Sequence, residues 1–445
     1  LYTSGTTGEP QGVMLYHRSL LFQMDRVEKI LHLTPEDIFI SVLPIWHSFE
    51  RAVEYIALNY GASLAYSKPV GQILLADMAK IRPSWMTSVP RIWEGIRAAV
   101  FRNVSKQSPV KQALFHFFVG IGEIHTTVSN LVFGRMPQFQ RRSRIADFAF
   151  GIIPWLLLYP LRALGNVLVF KSLQERLGGR FVAGVSGGGA LPPYVDQFFQ
   201  AAGIMVLEGY GLTETGPVLA VRQQDRPIPG TVGPLLPDIE SRILAEDGSE
   251  VGTGEKGVLW VKSPQIMGGY YKKPEETERV LQNGWLNTGD ICSMTHDGEI
   301  RILGRAKETI VLLGGENVEP TPIEETILQS EYIDQVMVVG QDRKFLGALV
   351  VPNEEKALSF AQENSISYVE SEDILDTPRF QEKIHDEIQR LVNKNTGFKP
   401  FEQIFRQRLL PTHFEVGREL TQTMKLRRSI VSDMYRQEIE KVFEK

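Results

Sequence analysis

The sequence predicts an α/β protein with a large N-terminal domain, built from α/β sheets and a β-rich subdomain, and a smaller α+β C-terminal domain. In the first half, short aliphatic runs alternate with helix-like stretches, which is typical of a sheet covered by helices. From about residue 231 to 260, brief runs broken by Gly, Pro and the pair Asp247 and Gly248 predict β-hairpins. After Gly304 the chain becomes highly charged. We therefore place the two domains at residues 1–304 and 305–445.

The elements follow from the length of each run and its residue types. Strands are predicted where four to six mostly apolar residues are bounded by polar or turn-forming ones, at residues 38–43, 85–89, 181–185 and 205–208. Longer stretches predict helices at residues 20–31 and 193–202. Beyond Gly304, residues 336–340 and 348–352 predict hairpin strands that alternate with helices rich in Glu, Lys and Gln.

Composition excludes several classes of protein. The chain has 445 residues, 43% hydrophobic and 23% charged, which fits neither a disordered nor a polytopic membrane protein. The 48 basic and 53 acidic residues give 48 − 53 = −5, so nucleic acid is not an expected partner. Cys292 is the only cysteine, which excludes an internal disulfide and agrees with a reducing compartment. The expected localisation is therefore cytoplasmic.

The chain opens on Leu1 and runs at once into a turn rich in Gly and Thr. No charged segment followed by an apolar core and a cleavage site is present at this start, so a secretory signal is not indicated. Because an apolar strand end stands here with nothing before it, we expect that the chain lacks its natural beginning.

An apolar and basic insert is expected at about residues 100–180. Residues 148–161 carry no charge, but 14 positions with Pro154 and Pro160 are too short and too interrupted to predict a membrane span. Four arginines precede them, at positions 135, 141, 142 and 144. This combination is what peripheral membrane contact through about residues 135–170, at the inner face of a membrane, would need, and it does not by itself outweigh the alternative. The alternative is a buried pair of core helices.

The first motif with chemical meaning is a loop of hydroxyl residues and glycines at the start of the chain. We call it the hydroxyl loop, and its residues are Thr3, Ser4, Gly5, Thr6, Thr7 and Gly8. Glycine permits close approach, so backbone N–H groups and hydroxyls can converge on a phosphate. No Gly-Lys-Ser/Thr follows, which excludes a Walker loop. Taken alone, such a loop is more often a simple turn.

The second motif lies just after the apolar run at residues 205–207. It places Tyr210, Gly211, Thr213 and Glu214 on a short loop at the carboxyl end of a strand, where open α/β sheets bind ligands. Tyr210 could stack on a base, Thr213 could bond a phosphate, and Glu214 could hold Mg²⁺.

No dinucleotide fingerprint accompanies this motif. The glycine-rich segment at residues 184–189, which includes Gly187 and Gly188, has Pro192 where the third glycine would stand. Glu214 occupies the same position in the second motif. An NAD-dependent enzyme is therefore disfavoured.

Two further motifs complete the set. Asp290 follows a Thr-Gly pair and precedes Gly304 and Arg305; a carboxylate there could accept both hydroxyls of a ribose, although it could also be a turn former. Lys425 lies in a basic stretch near the C-terminus, where a lysine is normally a solvated surface residue. His47 could line an acyl pocket or be a hydrogen-bonded loop histidine, and it is left out of the catalytic set.

Together and in this order, the motifs resemble the adenylate-forming (AMP-binding) superfamily of acyl-CoA synthetases, luciferases and nonribosomal peptide adenylation domains. The resemblance covers the whole chain, and it rests on residues 2–13, 43–50, 186–191, 210–217, 285–290 and 304–324 and on Lys425. Residues 87–94 and the long insert before Ser186 are similar to the long-chain fatty acid-CoA ligase branch.

The resemblance implies a role for each motif. It places the hydroxyl loop on the β- and γ-phosphates of ATP and makes the C-terminal domain mobile about a hinge near Lys307. The other implied ligands are adenine for Gly187, Gly188 and Tyr210, the α-phosphate for Thr213, Mg²⁺ for Glu214, the ribose for Asp290 and Arg305, and the reacting carboxylate and α-phosphate for Lys425. Gly211 is also implied to bind the nucleotide. Catalysis would then rest on Lys425, Thr213 and Glu214.

The implied function is ATP-dependent activation of a long-chain fatty acid to acyl-CoA, with AMP and pyrophosphate released. The chain departs from the family pattern at Gln11, where the phosphate loop usually carries Lys, and in lacking the segment that usually precedes the loop. The alternatives are transfer of the acyl group to a carrier-protein thiol, and a degenerate binding protein without turnover.

Overall fold

The computed structural model describes residues 1–4, 10–421 and 424–444. They form two compact units. The large unit contains Leu1–Thr288 and Cys292–Ile302, and the small unit contains Gly289–Ile291 and Leu303–Lys445.

Thirteen strands and nine helices occupy the chain as far as Arg305, within the ranges just given. The strands are β1 (Tyr2–Ser4), β2 (Pro10–Gly12), β3 (Ile38–Ser41), β4 (Ser63–Tyr66), β5 (Trp85–Ser88), β6 (Ala183–Ser186), β7 (Met205–Gly211), β8 (Val218–Val221), β9 (Glu240–Leu244), β10 (Gly257–Lys262), β11 (Leu281–Gln282), β12 (Trp285–Met294) and β13 (Ile300–Arg305). The helices are α1 (His17–Val27), α2 (Ser48–Asn59), α3 (Gly71–Ile81), α4 (Pro90–Ser105), α5 (Pro109–Val132), α6 (Arg144–Gly165), α7 (Lys171–Arg176), α8 (Pro193–Ala201) and α9 (Pro274–Val280).

A six-stranded sheet in the order β4-β3-β5-β6-β7-β8 forms the centre of the large unit. Strands β3 to β7 are parallel, and β8 runs antiparallel to β7. All four strand runs predicted in this region are present, so the α/β prediction is confirmed. Because β3, β5, β6 and β7 run the same way, the segments that follow them meet at one edge of the sheet.

The sheet is buried on both faces, as the alternation of its side chains requires. Phe39, Trp85 and Leu207 belong to one apolar cluster. Their neighbours Ile40, Met86 and Val206 belong to another. The rings of Phe39 and Trp85 stack with centroids 5.9 Å apart.

The insert between β5 and β6 is helical, and two expectations about it were wrong. Helix α6 runs through Pro154 and Pro160 without a break and continues into a π-helical turn, Asn166–Phe170, and then α7. The stretch Arg144–Arg176 is long and apolar enough to cross a membrane by length and composition. Only 6% of its most apolar window is buried, so it is not part of a buried core helix pair.

Packing explains why the prolines do not end α6. Each proline removes one backbone donor, which costs about 3 kcal/mol in an unsupported helix. Here α6 lies along α5, and Gly151 and Gly165 let the two backbones approach closely: a Cβ atom at these glycines would lie 2.7 Å from Val132 and 2.8 Å from Phe118. Tertiary contact therefore overrides the local signal.

The β-rich subdomain is a five-stranded sheet in the order β11-β12-β10-β9, with β13 paired to β12. β9 and β10 form an antiparallel pair, and the loop between them contains the Asp247–Gly248 turn, with Gly248 at φ +82°. The predicted β-hairpins are thus present.

The small unit has the predicted α+β composition. Its strands are β14 (Ile310–Val311), β15 (Asn317–Val318), β16 (Ile333–Val339), β17 (Leu346–Pro352) and β18 (Ile404–Leu409). Its helices are α10 (Pro320–Ile327), α11 (Glu354–Glu363), α12 (Pro378–Leu391), α13 (Arg428–Met434) and α14 (Arg436–Phe443). β16 and β17 form the predicted hairpin, and β18 adds to it in parallel.

Candidate functional site

The hydroxyl loop is framed by a short hairpin. β1 pairs with β2 in antiparallel register, with Thr3 opposite Gln11 and Ser4 opposite Pro10. The base of the hairpin is closed by the backbone N–H of Val13, which donates to Leu1 O at 2.7 Å. Gly5, Thr6, Thr7 and Gly8 lie outside the described residues, so their phosphate-binding role stays a prediction.

The second motif differs from the sequence prediction in one respect. β7 extends to Gly211, so Tyr210 and Gly211 are strand residues rather than loop residues. A Cβ atom at Gly211 would lie 1.8 Å from Pro217 O, which no side chain can tolerate, and glycine is therefore required there. The chain then turns through a 3₁₀ segment, Thr213–Thr215, at the carboxyl end of the strand.

Two buried glutamines, which sequence reasoning missed, hold this turn in place. Gln23 Nε2 donates to Ser19 O and Gly216 O, and Gln23 Oε1 accepts from Val218 N at 2.8 Å. Gln265 Nε2 donates to Thr215 O at 2.6 Å and to Val218 O at 2.7 Å. Because the two amides donate to three backbone carbonyls of this segment, and Gln23 also accepts from Val218 N, these contacts fix the backbone of the turn.

The side chains of the turn meet partners from other elements. Thr213 Oγ1 lies 3.2 Å from Ser48 Oγ, at the start of α2. Tyr270 donates its hydroxyl to Glu214 Oε1 at 2.8 Å. The hydroxyls of Thr213 and Ser48 and the carboxylate of Glu214 therefore lie at the same edge of the sheet.

His47 caps α2. Its Nδ1 accepts from Phe49 N at 3.2 Å, which leaves the ring in the role of a hydrogen-bonded loop histidine. The Phe49 ring lies against the glycine segment that follows β6, because a Cβ atom at Gly187 would be 3.1 Å from it. Gly188 has φ +80°, a conformation that favours glycine, so the segment turns tightly past the edge of the sheet.

A buried ion cluster joins α8, β7 and the end of β8, and sequence reasoning missed it too. Arg222 pairs with Asp196 at 2.7 Å and with Glu208 at 2.8 Å, and it donates from Nε to Thr231 O at 2.6 Å. Burial alone would lower the pKa of Arg222, but the two carboxylates outweigh it and raise the pKa. Glu208 also accepts from Leu191 N at 2.9 Å, so the cluster fixes the glycine segment to β7.

Glu50 is a second buried acid near the same edge. Burial raises its pKa to about 7, against the hydrogen bonds from Ser41 and Thr87, which lower it. The Thr87 hydroxyl donates to Glu50 Oε2 at 3.1 Å. A buried carboxyl with a raised pKa is common at functional sites, although ion networks produce the same effect.

In the small unit, Asp290 and Arg305 are brought together. Arg305 Nε lies 3.1 Å from Asp290 Oδ1, and the Asp290 side chain is almost fully buried. Asp290 lies within β12, so its interpretation as a turn former was wrong. The ion pair therefore holds these two predicted ribose-binding side chains side by side.

Lys425 is hydrogen-bonded to Thr421 in the same unit. The backbone N–H of Lys425 donates to Thr421 Oγ1 at 3.0 Å, that of Thr421 donates to Lys425 O at 2.8 Å, and Met424 takes φ +61°. Leu420 and Leu426 form an antiparallel bridge on either side. Residues 422 and 423, between them, are outside the described ranges.

The surroundings of Lys425 perturb it strongly. Although the residue keeps exposed surface, desolvation and then the charge of Arg305 lower its pKa to about 8, against the opposite effects of Asp290 and Glu308. Arg428, three residues on, pairs with Glu324 and lies 3.5 Å from Glu308. Lys425 is therefore held among charged groups and differs from an ordinary surface lysine.

A magnesium site would rest on few protein ligands. Within residues 1–4, 10–421 and 424–444, no group of three or more His, Cys, Asp or Glu side chains could hold a metal ion. Mg²⁺ commonly takes one or two carboxylates and completes its shell with water and phosphate oxygens. Glu214, partly exposed beside two hydroxyls, fits that requirement when a nucleotide supplies the phosphates.

Comparison with known families accounts for both units. The family described as AMP-binding enzyme matches residues 1–271, and its AMP-binding enzyme C-terminal domain matches residues 307–445. The chain belongs to the AMP-binding enzyme family. The resemblance found in the motifs is thereby confirmed.

Several curated relatives of this AMP-binding protein align over the full chain. It is 35% identical to the probable acyl-activating enzyme 16, chloroplastic, of Arabidopsis thaliana, covering 100% of this chain and 63% of that protein. It is 34% identical to the long-chain-fatty-acid–[acyl-carrier-protein] ligase AEE15, chloroplastic, of the same plant, covering 100% and 61%. With long-chain-fatty-acid–CoA ligase FadD15 of Mycobacterium bovis it shares 30%, covering 100% and 69%. The chain thus spans about three fifths of the length of the first two.

Solved structures agree on the fold of this AMP-binding protein. The adenylation domain of a carboxylate reductase from Mycobacterium chelonae superposes with a TM-score of 0.70 at 21% identity, over 99% of this chain and 59% of that one. ATP-bound MatB from Rhodopseudomonas palustris superposes with a TM-score of 0.65 at 21% identity, over 98% and 67%. The predicted fold class is confirmed.

Proposed function

We propose that the protein activates long-chain fatty acids to acyl-CoA in an ATP-dependent reaction, through an acyl-adenylate. The observation that carries the proposal is the placement of Lys425, with its lowered pKa, among charges that include Asp290 and Arg305. A cation held together with a carboxylate that could bind a ribose is what a reaction at the α-phosphate of a nucleotide needs.

In the first half-reaction, an oxygen of the fatty acid carboxylate attacks the α-phosphorus of ATP. A P–O bond forms to the acyl group, and the bond to the bridging oxygen breaks, so pyrophosphate leaves. Two anions approach each other in this step, and Lys425 lowers the barrier by placing a positive charge between them. Thr213 and the hydroxyl loop orient the phosphates, while Asp290 holds the ribose.

Glu214 would hold Mg²⁺, which supplies positive charge that stabilises the phosphate oxygens and the leaving pyrophosphate. In the second half-reaction, the CoA thiol attacks the carbonyl carbon of the acyl-adenylate. A thioester forms, AMP leaves with the electron pair of the broken bond, and the thiol proton passes to solvent. The carbonyl is neutral at that stage, so we propose that a rotation near Lys307 moves Lys425 away and presents the Gly314–Glu316 turn.

The proposed substrate class, long-chain fatty acids, and the proposed acceptor, CoA, are inferred from the names of similar proteins. Relatives named as long-chain-fatty-acid–CoA ligases, in Mycobacterium bovis and in humans, are each 30% identical to this chain. A second candidate acceptor is a carrier-protein thiol, because a relative at 34% identity is named for that acceptor. The protein would work in the cytoplasm.

The test separates activation, acceptor choice and binding alone. The protein is incubated with ATP, Mg²⁺ and a long-chain fatty acid, and pyrophosphate release and acyl-adenylate are measured. CoA or a phosphopantetheinylated carrier protein is then added, and formation of each thioester is followed. We expect acyl-CoA. Thioester on the carrier alone would favour the second acceptor, and nucleotide binding in calorimetry without pyrophosphate release would refute the enzymatic proposal.

A further inference from the structure

Helix α6 is the outermost of three packed helical layers. Gly122 of α5 lies against α8, since a Cβ atom there would be 3.0 Å from Ala201 Cβ. Gly151 and Gly165 bring α6 comparably close to α5, at Val132 and Phe118. Trp155 Nε1 also donates to Ser129 Oγ of α5 at 3.1 Å. The inner face of α6 is therefore fixed to the large unit, and its outer face is exposed.

The outer face of α6 and the turn after it is apolar along its whole length. Its exposed large side chains are Ile145, Phe148, Phe150, Ile153, Leu156, Leu157, Tyr159, Leu161, Leu164, Val167 and Leu168. We call this set the α6 apolar face. It spans 24 residues, roughly 36 Å at the rise of a helix. Such a continuous apolar surface exceeds what a soluble monomer normally exposes.

The few charges within the segment turn away from this face. Between residues 145 and 170 the only charged residues are Asp147 and Arg162. The Asp147 carboxylate is 3.0 Å from Arg142 and little exposed. The Arg162 guanidinium lies 4.9 Å from the centroid of the buried Phe170 ring. No charge therefore interrupts the α6 apolar face.

Basic residues lie at both ends of the face. Residues 133–176 contain seven Arg and Lys against two Asp and Glu, whereas the whole chain has a net charge of −5. Arg141 and Arg142 precede the helix, and Lys171 and Arg176 follow it. A second copy of the chain would bring these like charges together in either orientation, but anionic lipid headgroups would complement both ends.

We propose that the α6 apolar face docks the protein in the interface of an anionic phospholipid bilayer. The helix lies in the plane of the membrane, because one side of it is packed on α5 along its length and cannot be surrounded by lipid. The apolar side chains enter the boundary between headgroups and acyl chains, and the terminal Arg and Lys side chains contact the headgroups. The docking does not depend on the proposed ligase activity, although it would bring that activity to its lipid substrate.

A single labelled cysteine tests the contact directly. Cys292 is fully buried, so a thiol-reactive, polarity-sensitive dye added to the folded protein marks only a new surface cysteine. Leu157→Cys places the dye on the α6 apolar face, and Leu58→Cys places it on α2, at comparable exposures of 71% and 61%. With vesicles of phosphatidylcholine and phosphatidylglycerol, we expect a blue-shifted emission from position 157 and no shift from position 58.

Vesicle flotation of the unlabelled protein measures the strength of docking. Phe150→Ser, Leu157→Ser and Val167→Ser together should lower the partition coefficient at least about a hundredfold, since three large apolar side chains no longer enter the membrane. The matched control, Leu21→Ser with Leu58→Ser and Val369→Ser, should float like the unaltered protein. Melting curves establish that both variants are folded.

Three results would overturn the proposal. The first is that the unaltered protein does not float, or that the two triple variants lose binding equally. The second is flotation that salt abolishes and that leaves the dye at position 157 unshifted, which would mean attraction by charge alone. The third is self-association without lipid that the α6 variant abolishes, which would assign the face to a second copy.

Discussion

Lys425 should control the pH dependence of adenylate formation. The side-chain amine of Lys425 must be protonated to stabilise the approach of the carboxylate to the α-phosphate. Its pKa of about 8 lies more than two units below that of an ordinary lysine. The perturbation we propose is therefore pH itself, combined with Lys425→Arg and Lys425→Ala. Arginine stays charged throughout the range, and alanine is never charged.

The magnitude follows from the pKa. With a pKa of about 8 in the free protein, roughly 90% of Lys425 is protonated at pH 7 and roughly 10% at pH 9, so kcat/KM for adenylate formation, which reports the free enzyme, should fall about tenfold between them. Lys425→Ala should lose roughly 10²- to 10³-fold at pH 7, as for removal of one preorganised charge. Lys425→Arg should be slower than the unaltered protein but flat from pH 7 to 9.

The assay measures each half-reaction on the same preparation. Pyrophosphate release without CoA reports the first, and conversion of supplied acyl-adenylate with CoA reports the second, which Lys425→Ala should largely retain. The pKa is also measured without turnover, from the titration of ¹³C-methylated lysine amines by NMR. Arg305→Gln should raise the pKa of Lys425, because Arg305 lowers it, and Asp290→Asn should lower it further.

Two results would refute this reasoning. Equal loss of both half-reactions in Lys425→Ala would mean that the residue acts on folding or on CoA binding. A resonance that titrates near the ordinary lysine value and disappears in Lys425→Ala would show that the surroundings do not perturb the ammonium.

Three further predictions concern other parts of the chain. Gln11→Lys should lower the KM for ATP or raise kcat, because a cation near the leaving pyrophosphate stabilises it more than an amide; unchanged steady-state kinetics would mean that another cation serves there. Arg222→Met should lower the free energy of unfolding, measured with urea, by about 3–5 kcal/mol, because it leaves two buried carboxylates without their cation. Arg226→Met removes a partly exposed ion pair and should lower it by at most about 1 kcal/mol. Glu50 has a folded-state pKa raised to about 7, so its contribution to stability is fully present below about pH 4.5 and is lost as the pH rises through 7. The free energy of unfolding of Glu50→Gln should equal that of the unaltered protein at pH 4.5 and exceed it by up to about 3 kcal/mol at pH 8. Equal free energies of unfolding at both pH values would contradict this.

The sequence alone determined where the sheet strands lie and which chemical motifs follow them along the chain. Short apolar runs such as residues 85–89 mark sheet strands because a strand buried on both faces needs apolar side chains on both. Motifs placed just after such runs then meet at the carboxyl edge of a parallel sheet, whatever the details of packing. The family followed from the same motifs, since their residue types and order are specific together even where each alone is not.

Contacts between distant segments decided what the sequence could not. Gln23 and Gln265 fix the turn at Thr213–Thr215 from residues far away in the chain, and no local pattern distinguishes them from surface glutamines. The same holds for Arg222, whose partners Asp196 on α8 and Glu208 on β7 are identified only once these elements are packed beside β8.

The clearest division between the two levels is at α6. Its composition indicated an apolar element with basic flanks, but Pro154 and Pro160 predicted an interruption that the structure does not have. Helix continuity depends on the support that α5 gives through Gly151 and Gly165, and this support comes from packing. The same contact decides which side of α6 is covered and which is exposed. Because α6 is apolar on nearly all sides, the periodicity of its sequence does not mark the side that packs on α5.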